Sequence, residues 1–203
     1  MGIRVIIMCK APTAGQVKTR LMPHYSAEQA AALHMAMATT VIERAKRLFD
    51  DVVIAADDCT HPFFSSFTVP LQPQGEGDLG DRMQRLVQRA FADGVDGVML
   101  LGTDSPHMTD TRLLSAASSL QQHDVVIGPV EDGGYDLIAM SRPLPVFEAV
   151  AWSSDQVLQQ TVSHIDSLGL SSQQMEMSFD VDFPADIERA QQAGWHCDCG
   201  VVP

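Results

Sequence analysis

The sequence predicts an α/β protein: a single domain with a mostly parallel central sheet flanked by helices. Three observations carry this. Short apolar, β-branched runs recur at Arg4 to Cys9, Val52 to Ala56, Val98 to Leu101, Val125 to Gly128 and Leu137 to Met140, and longer helix-period segments lie between several of them. The 203 residues are 45% hydrophobic and 19% charged, the balance of a globular core rather than of a disordered chain. No internal repeat, low-complexity tract or linker divides the chain, so residues 1–203 read as one unit.

The elements follow in order. The first strand closes at Cys9, where Lys10 ends the apolar run. The first helix is expected to start at Ser26, whose hydroxyl can cap it with Gln29 as the reciprocal partner, and its alanine-rich body runs to about Leu48. Three later helical segments should stop at Gly94, Gly169 and Gly194, where a left-handed residue is needed. Ser153 is read as the cap of a helix with Gln156 as partner, which puts Leu158, Val162 and Ile165 on one face. A further helix follows Pro184. The stretch from Pro62 to Gln74 shows no clear pattern.

Charge narrows the possible partners. The net charge is -13, so a nucleic-acid backbone would meet repulsion, and no nucleic-acid partner is expected. Residues 1–20 hold Arg4, Lys10, Lys18 and Arg20 without an acid, which suggests a local site for a small anion; ordinary solvated surface would look the same by charge alone. No apolar run reaches membrane-spanning length, and Val5 to Cys9 is too short for a signal peptide. Four scattered cysteines fit a reduced, cytoplasmic protein better than a disulfide framework. His196-Cys197-Asp198-Cys199 lacks a second ligand pair at zinc-site spacing and is read as a tail.

Two familiar signatures are rejected. Gly75-Glu76-Gly77-Asp78-Leu79-Gly80 spells the dinucleotide-binding turn but follows Pro70 and Pro73 and lies outside the first strand-helix unit. Gly15-Gln16-Val17-Lys18-Thr19 has the Lys-Thr of a P-loop without its paired glycines. The loop Lys10 to Leu21 makes better sense as a phosphate site at the carboxyl end of a strand, with lysines as mobile charges and arginine as a rigid fork. Gly102-Thr103-Asp104-Ser105-Pro106 delivers a carboxylate into the same crevice, as Mg²⁺ or Mn²⁺ held by one or two carboxylates plus substrate phosphates requires; a turn cap is the alternative for Asp104. Asp180-Val181-Asp182-Phe183-Pro184 offers a second acid, with Asp182 also able to cap the helix at Pro184. Gly128 to Asp136 joins two strands and suits either a substrate loop or a tight turn.

Together these motifs resemble the bacterial GT-A-type transferases of the nucleotide-diphospho-sugar transferase superfamily, often associated with radical-SAM or arsenosugar genes. Lys10 to Leu21, Gln74 to Met83, Gly102 to Pro106, Gly128 to Leu137, Trp152 to Leu158 and Asp180 to Ile187 stand in the family's order, over nearly the whole chain. The resemblance implies a GT-A fold and a divalent metal at Asp104 and Asp182. It implies a nucleotide on Lys10, Gly15, Lys18, Arg20, Gly77 and Asp78, and a sugar or acceptor near Gly133, Gly134, Tyr135, Trp152 and Ser153. Departures are Thr13-Ala14 in place of a small residue and proline, His107-Met108 in place of an acidic mate after the proline, and one strand-end acid in place of Asp-x-Asp.

Two chemistries share this fold. A nucleotide-sugar glycosyltransferase, the leading expectation, would use Asp104 with Glu131 or Asp132 as a base if it inverts. A nucleotidyltransferase would join a nucleoside triphosphate to a phosphorylated metabolite and release pyrophosphate, with Lys18, Arg20 and two metal carboxylates taking the charge. A non-catalytic nucleotide-binding module is the third reading.

Overall fold

A computed structural model describes residues 2–197 and Gly200. Seven strands form one sheet in the order β3-β2-β1-β4-β6-β5-β7. They are β1 (Ile3–Cys9), β2 (Asp51–Ala56), β3 (Leu71–Pro73), β4 (Gly97–Leu101), β5 (Val125–Pro129), β6 (Tyr135–Met140) and β7 (Ser172–Gln174). The sheet is parallel except at β6, which runs antiparallel to both β4 and β5. All five apolar runs are strands; the three-residue edge strands β3 and β7 carried no such signal, since their side chains are mostly exposed or half-buried.

Among the described residues five α-helices flank the sheet: α1 (Ala27–Leu48), α2 (Leu79–Ala92), α3 (Asp110–Ser119), α4 (Val157–Ser167) and α5 (Pro184–Gln192). The strand period of two sends alternate β1 side chains to opposite faces. Val5, Ile7 and Cys9 pack with Ala38, Val41 and Ile42 of α1 and Leu113 and Ala116 of α3. Ile6 turns the other way and packs with Met83, Leu86 and Val87 of α2 and Ile165 of α4. A third, smaller core joins Leu21, Leu33, Met37, Val181, Ile187 and Trp195, and so holds the end of the first loop against α1 and α5.

The predicted boundaries hold at α1, where Ser26 Oγ accepts from the Gln29 N–H and the Gln29 side chain accepts from the Ser26 N–H. Gly94, Gly169 and Gly194 follow the C-caps of α2, α4 and α5 with positive φ. The cap of α4 differs from expectation. Gln156 is the N-cap, its N–H donating to Ser154 Oγ, while Ser153 lies upstream in a left-handed conformation. The four reduced cysteines also need correction: Cys9 and Cys59 are free thiols, whereas Cys197 is disulfide-bonded. Asp198 and Cys199 of the expected tail lie outside the described residues.

Candidate active site

The carboxyl ends of β1, β3 and β4 open into a cleft of ≈ 460 Å³, the position in which an open α/β sheet takes its ligand. The β1 end supplies the loop Lys10 to Leu21. Asp57, just past β2, anchors its start by accepting from the Ala11 N–H at 2.7 Å. Val17 and Leu21 are buried and anchor the other end, so Lys18 and Arg20 between them face the cleft.

Lys18 is the centre of the site. Its side chain is only 4% exposed, and its ammonium lies 2.8 Å from Asp104 Oδ1 and 3.0 Å from Asp182 Oδ1. It also donates to the Val181 carbonyl at 2.7 Å. Burial pulls the Lys18 pKa down, but the two carboxylates outweigh it and the result is raised. Burial likewise opposes ionisation of Asp104, and Lys18 outweighs it, so Asp104 sits below its usual range. Arg20 pairs with the other oxygen of Asp182.

Neither acid acts as a cap. The Asp104 carboxylate is engaged by Lys18, and α5 has Phe183 at its N-cap position, where the Asp186 carboxylate accepts from the Asp182 and Phe183 N–H groups. Val181 is buried in the third core, while the carboxylates of Asp180 and Asp182 on either side of it reach Ser105 and Lys18. Asp180, which the sequence placed in the second acidic cluster without a role, receives a hydrogen bond from Ser105 at 2.6 Å. Burial and the neighbouring Asp104 push its pKa up to about 7. The alternation Asp180-Val181-Asp182 was the available signal.

Three more cleft residues were given no role from the sequence, although Gln74 and Arg82 lie in the Gln74 to Met83 motif. Gln74 is buried and donates to the Ala55 carbonyl at 3.0 Å. Arg82, one turn into α2, reaches the Gly77 carbonyl at 2.9 Å. His34 is 4% exposed, and burial holds its pKa down, so the neutral ring donates from Nε2 to the Lys10 carbonyl at 3.0 Å and keeps a bare Nδ1 lone pair.

The remaining expected residues divide. Lys10 and Ser153 line the cleft. Gly15 occupies an exposed turn of the loop, at φ 80°. Gly77 precedes α2, and Asp78 caps that helix by accepting from the Asp81 N–H at 2.9 Å. Trp152 faces a second cavity of ≈ 400 Å³ together with Asp78, Asp81 and Phe147. Tyr135 packs against the α2 and α4 core rather than into the cleft. Glu131 is not brought to the cleft lining: its carboxylate forms a fork with Arg189, at 2.9 and 3.0 Å, which holds its pKa low. Asp132 Oδ1 accepts from the Gly134 N–H at 2.9 Å. Gly133 permits this turn: φ is 89°, and a Cβ there would stand 2.0 Å from the Asp155 carbonyl oxygen.

The donor set suits a hard divalent ion. Two carboxylates already converge on one cation, the Lys18 ammonium. Among the described residues no group of three or more His, Cys, Asp or Glu side chains could hold a metal, so substrate phosphates would have to complete the shell, as they commonly do for magnesium.

Residues 40–154 match the family described as "Uncharacterized protein conserved in bacteria (DUF2064)". The chain belongs to this family. No curated protein matches the sequence of this DUF2064 member. Among solved structures it is similar to a "putative nucleotide-diphospho-sugar transferase" from Desulfovibrio desulfuricans G20, with 32% identity, a TM-score of 0.84 and coverage of 90% of this chain and 84% of that one. The fold is therefore that of the GT-A nucleotide-diphospho-sugar transferases. Two more distant structures share the fold alone. One is CMP:2-keto-3-deoxy-manno-octonic acid synthetase complexed with CTP, at 12% identity, TM-score 0.63 and coverage of 95% and 98%. The other is glucosyl-3-phosphoglycerate synthase from Mycobacterium tuberculosis in complex with Mn²⁺, UDP and glucosyl-3-phosphoglycerate, at 12% identity, TM-score 0.58 and coverage of 95% and 77%.

Proposed function

We propose that this protein is a divalent-metal-dependent nucleotidyltransferase that joins a nucleoside triphosphate to a phosphorylated small molecule. The observation that carries the reading is the convergence of Lys10, Lys18, Arg20, Asp104 and Asp182 on one cleft, with Glu131 outside it. A phosphate nucleophile arrives ionised and needs no general base, whereas inverting glycosyl transfer does. In the proposed step an acceptor phosphate oxygen bonds to the α-phosphorus, the α–β anhydride bond breaks, and its electron pair leaves on pyrophosphate. Lys18, Arg20 and Lys10 hold the phosphates and their developing charge. Asp104 and Asp182 would hold the metal, which when bound would offset part of the triphosphate charge. His34 fixes the start of the loop through the Lys10 carbonyl.

The second reading, transfer from a nucleotide sugar, is favoured by the description of the relative at 32% identity. A thermal-shift panel of nucleoside triphosphates and nucleotide sugars with Mn²⁺ selects the ligand, and phosphorus NMR of turnover with sugar-phosphate acceptors identifies the leaving group. Pyrophosphate release supports nucleotidyl transfer. Release of a nucleoside diphosphate from a nucleotide sugar overturns it in favour of glycosyl transfer.

A further inference from the structure

An ammonium group has three N–H donors, and those of Lys18 have three acceptors within reach: the Val181 carbonyl at 2.7 Å, Asp104 Oδ1 at 2.8 Å and Asp182 Oδ1 at 3.0 Å. The side chain is 4% exposed and the backbone is left-handed, at φ 47° and ψ 43°. A residue with a Cβ seldom adopts that conformation unless its surroundings hold it there. Lys18 is therefore the counter-ion of the two acids, and it occupies the space between them.

A divalent cation cannot take the same two oxygens while the ammonium remains, because two cations would then stand in contact. Lys18 must leave for the ion to enter. Leaving strands its three donors unless another anion receives them, and a nucleotide phosphate in the same cleft is such an anion. The four-carbon stem of lysine gives the reach that a rigid guanidinium lacks.

Resting on the reading of the site as a metal and nucleotide centre, we propose that Lys18 is an internal counter-ion that excludes free divalent metal and admits it when a nucleotide phosphate takes over the ammonium. Metal and nucleotide then bind with positive coupling, and the coupling is reciprocal: each tightens the other by the same factor.

The test is Mn²⁺ binding to the full-length protein, followed by electron paramagnetic resonance of the free ion without nucleotide, in wild type, Lys18→Met, Lys18→Gly and Arg20→Met. Glycine accepts the left-handed backbone and so guards against misfolding of the methionine variant. Arg20→Met removes an equal charge from the same cluster without vacating the space between the acids. The expected result is weak Mn²⁺ binding in wild type, at least roughly tenfold tighter binding in either folded Lys18 variant, and a smaller gain in Arg20→Met. Calorimetry then measures how Mn²⁺ changes the affinity for whichever of ATP, CTP, GTP or UTP gives the largest thermal shift. Unchanged or weaker Mn²⁺ binding in the Lys18 variants, or an equal gain in Arg20→Met, overturns the counter-ion role while metal-dependent nucleotide binding by wild type upholds the site. Nucleotide binding by wild type that ignores Mn²⁺ overturns the site reading, and this inference with it.

Discussion

The backbone N–H of Val181 donates to the carbonyl of Asp104 at 2.8 Å, stitching the loop after β4 to the segment before α5. Because main chain makes this bond, replacing the Asp104 side chain leaves the link in place. Asp104→Asn should therefore stay folded, though it loses one counter-charge of the buried Lys18, and should lose Mn²⁺-dependent nucleotide affinity by roughly tenfold or more, the scale of one charge-assisted contact. Asp182→Asn should behave alike. Calorimetry beside thermal melting checks both, and full metal-dependent affinity in Asp104→Asn would remove it from the site.

Arg112 and Asp136 form a buried pair behind the site, 3.1 Å from Nη2 to Oδ1, with the Asp136 side chain 1% exposed. Burial raises the Asp136 pKa to about 6, against the pull of Arg112. The folded state thus binds this proton more tightly than the unfolded chain, so the contribution of Asp136 to stability is complete below the unfolded pKa and is lost as pH rises through about 6. Arg112→Met strands the charge and should cost about 3–5 kcal/mol at neutral pH. At pH near 5 the cost should be smaller, since the carboxyl is then protonated. Urea unfolding at the two pH values decides, and an equal cost at both would contradict this account.

Gly128 makes that pair possible. A Cβ at this position would stand 2.3 Å from Asp136 Oδ1 and 2.7 Å from Arg112 Nη2. Gly128→Ala should destabilise by breaking the same pair, so its effect should not add to that of Arg112→Met. Strictly additive losses in the double variant would refute the shared cause.

Glu131 and Arg189 form an exposed fork away from the cleft lining. Pairs of this exposure contribute little to stability. Glu131→Gln should leave both melting temperature and turnover nearly unchanged. A collapse of kcat with unchanged KM would instead restore Glu131 as a catalytic base.

Much of the fold was legible because its signals are local. The apolar runs of β1, β2, β4, β5 and β6, the Ser26 to Gln29 capping box, and the glycines after α2, α4 and α5 each report on a few neighbouring residues whose backbone preferences and burial are set by spacing. The cations of the first loop and the acids at 104 and 182 were legible for the same reason, each being attached to the end of an element. Only tertiary structure decided how they meet. Lys18 and Asp182 lie 164 positions apart, and the third core, which buries both Leu21 and Val181, brings their segments together. Glu131 stands in a loop that suited catalysis, yet α5 brings Arg189 to it across 58 positions. The edge strands β3 and β7 are assigned by pairing with β2 and β5, because three mostly exposed or half-buried residues carry no hydrophobic pattern of their own. Sequence spacing thus determined which groups the sheet offers at its carboxyl end, while register and side-chain packing determined which charge neutralises which.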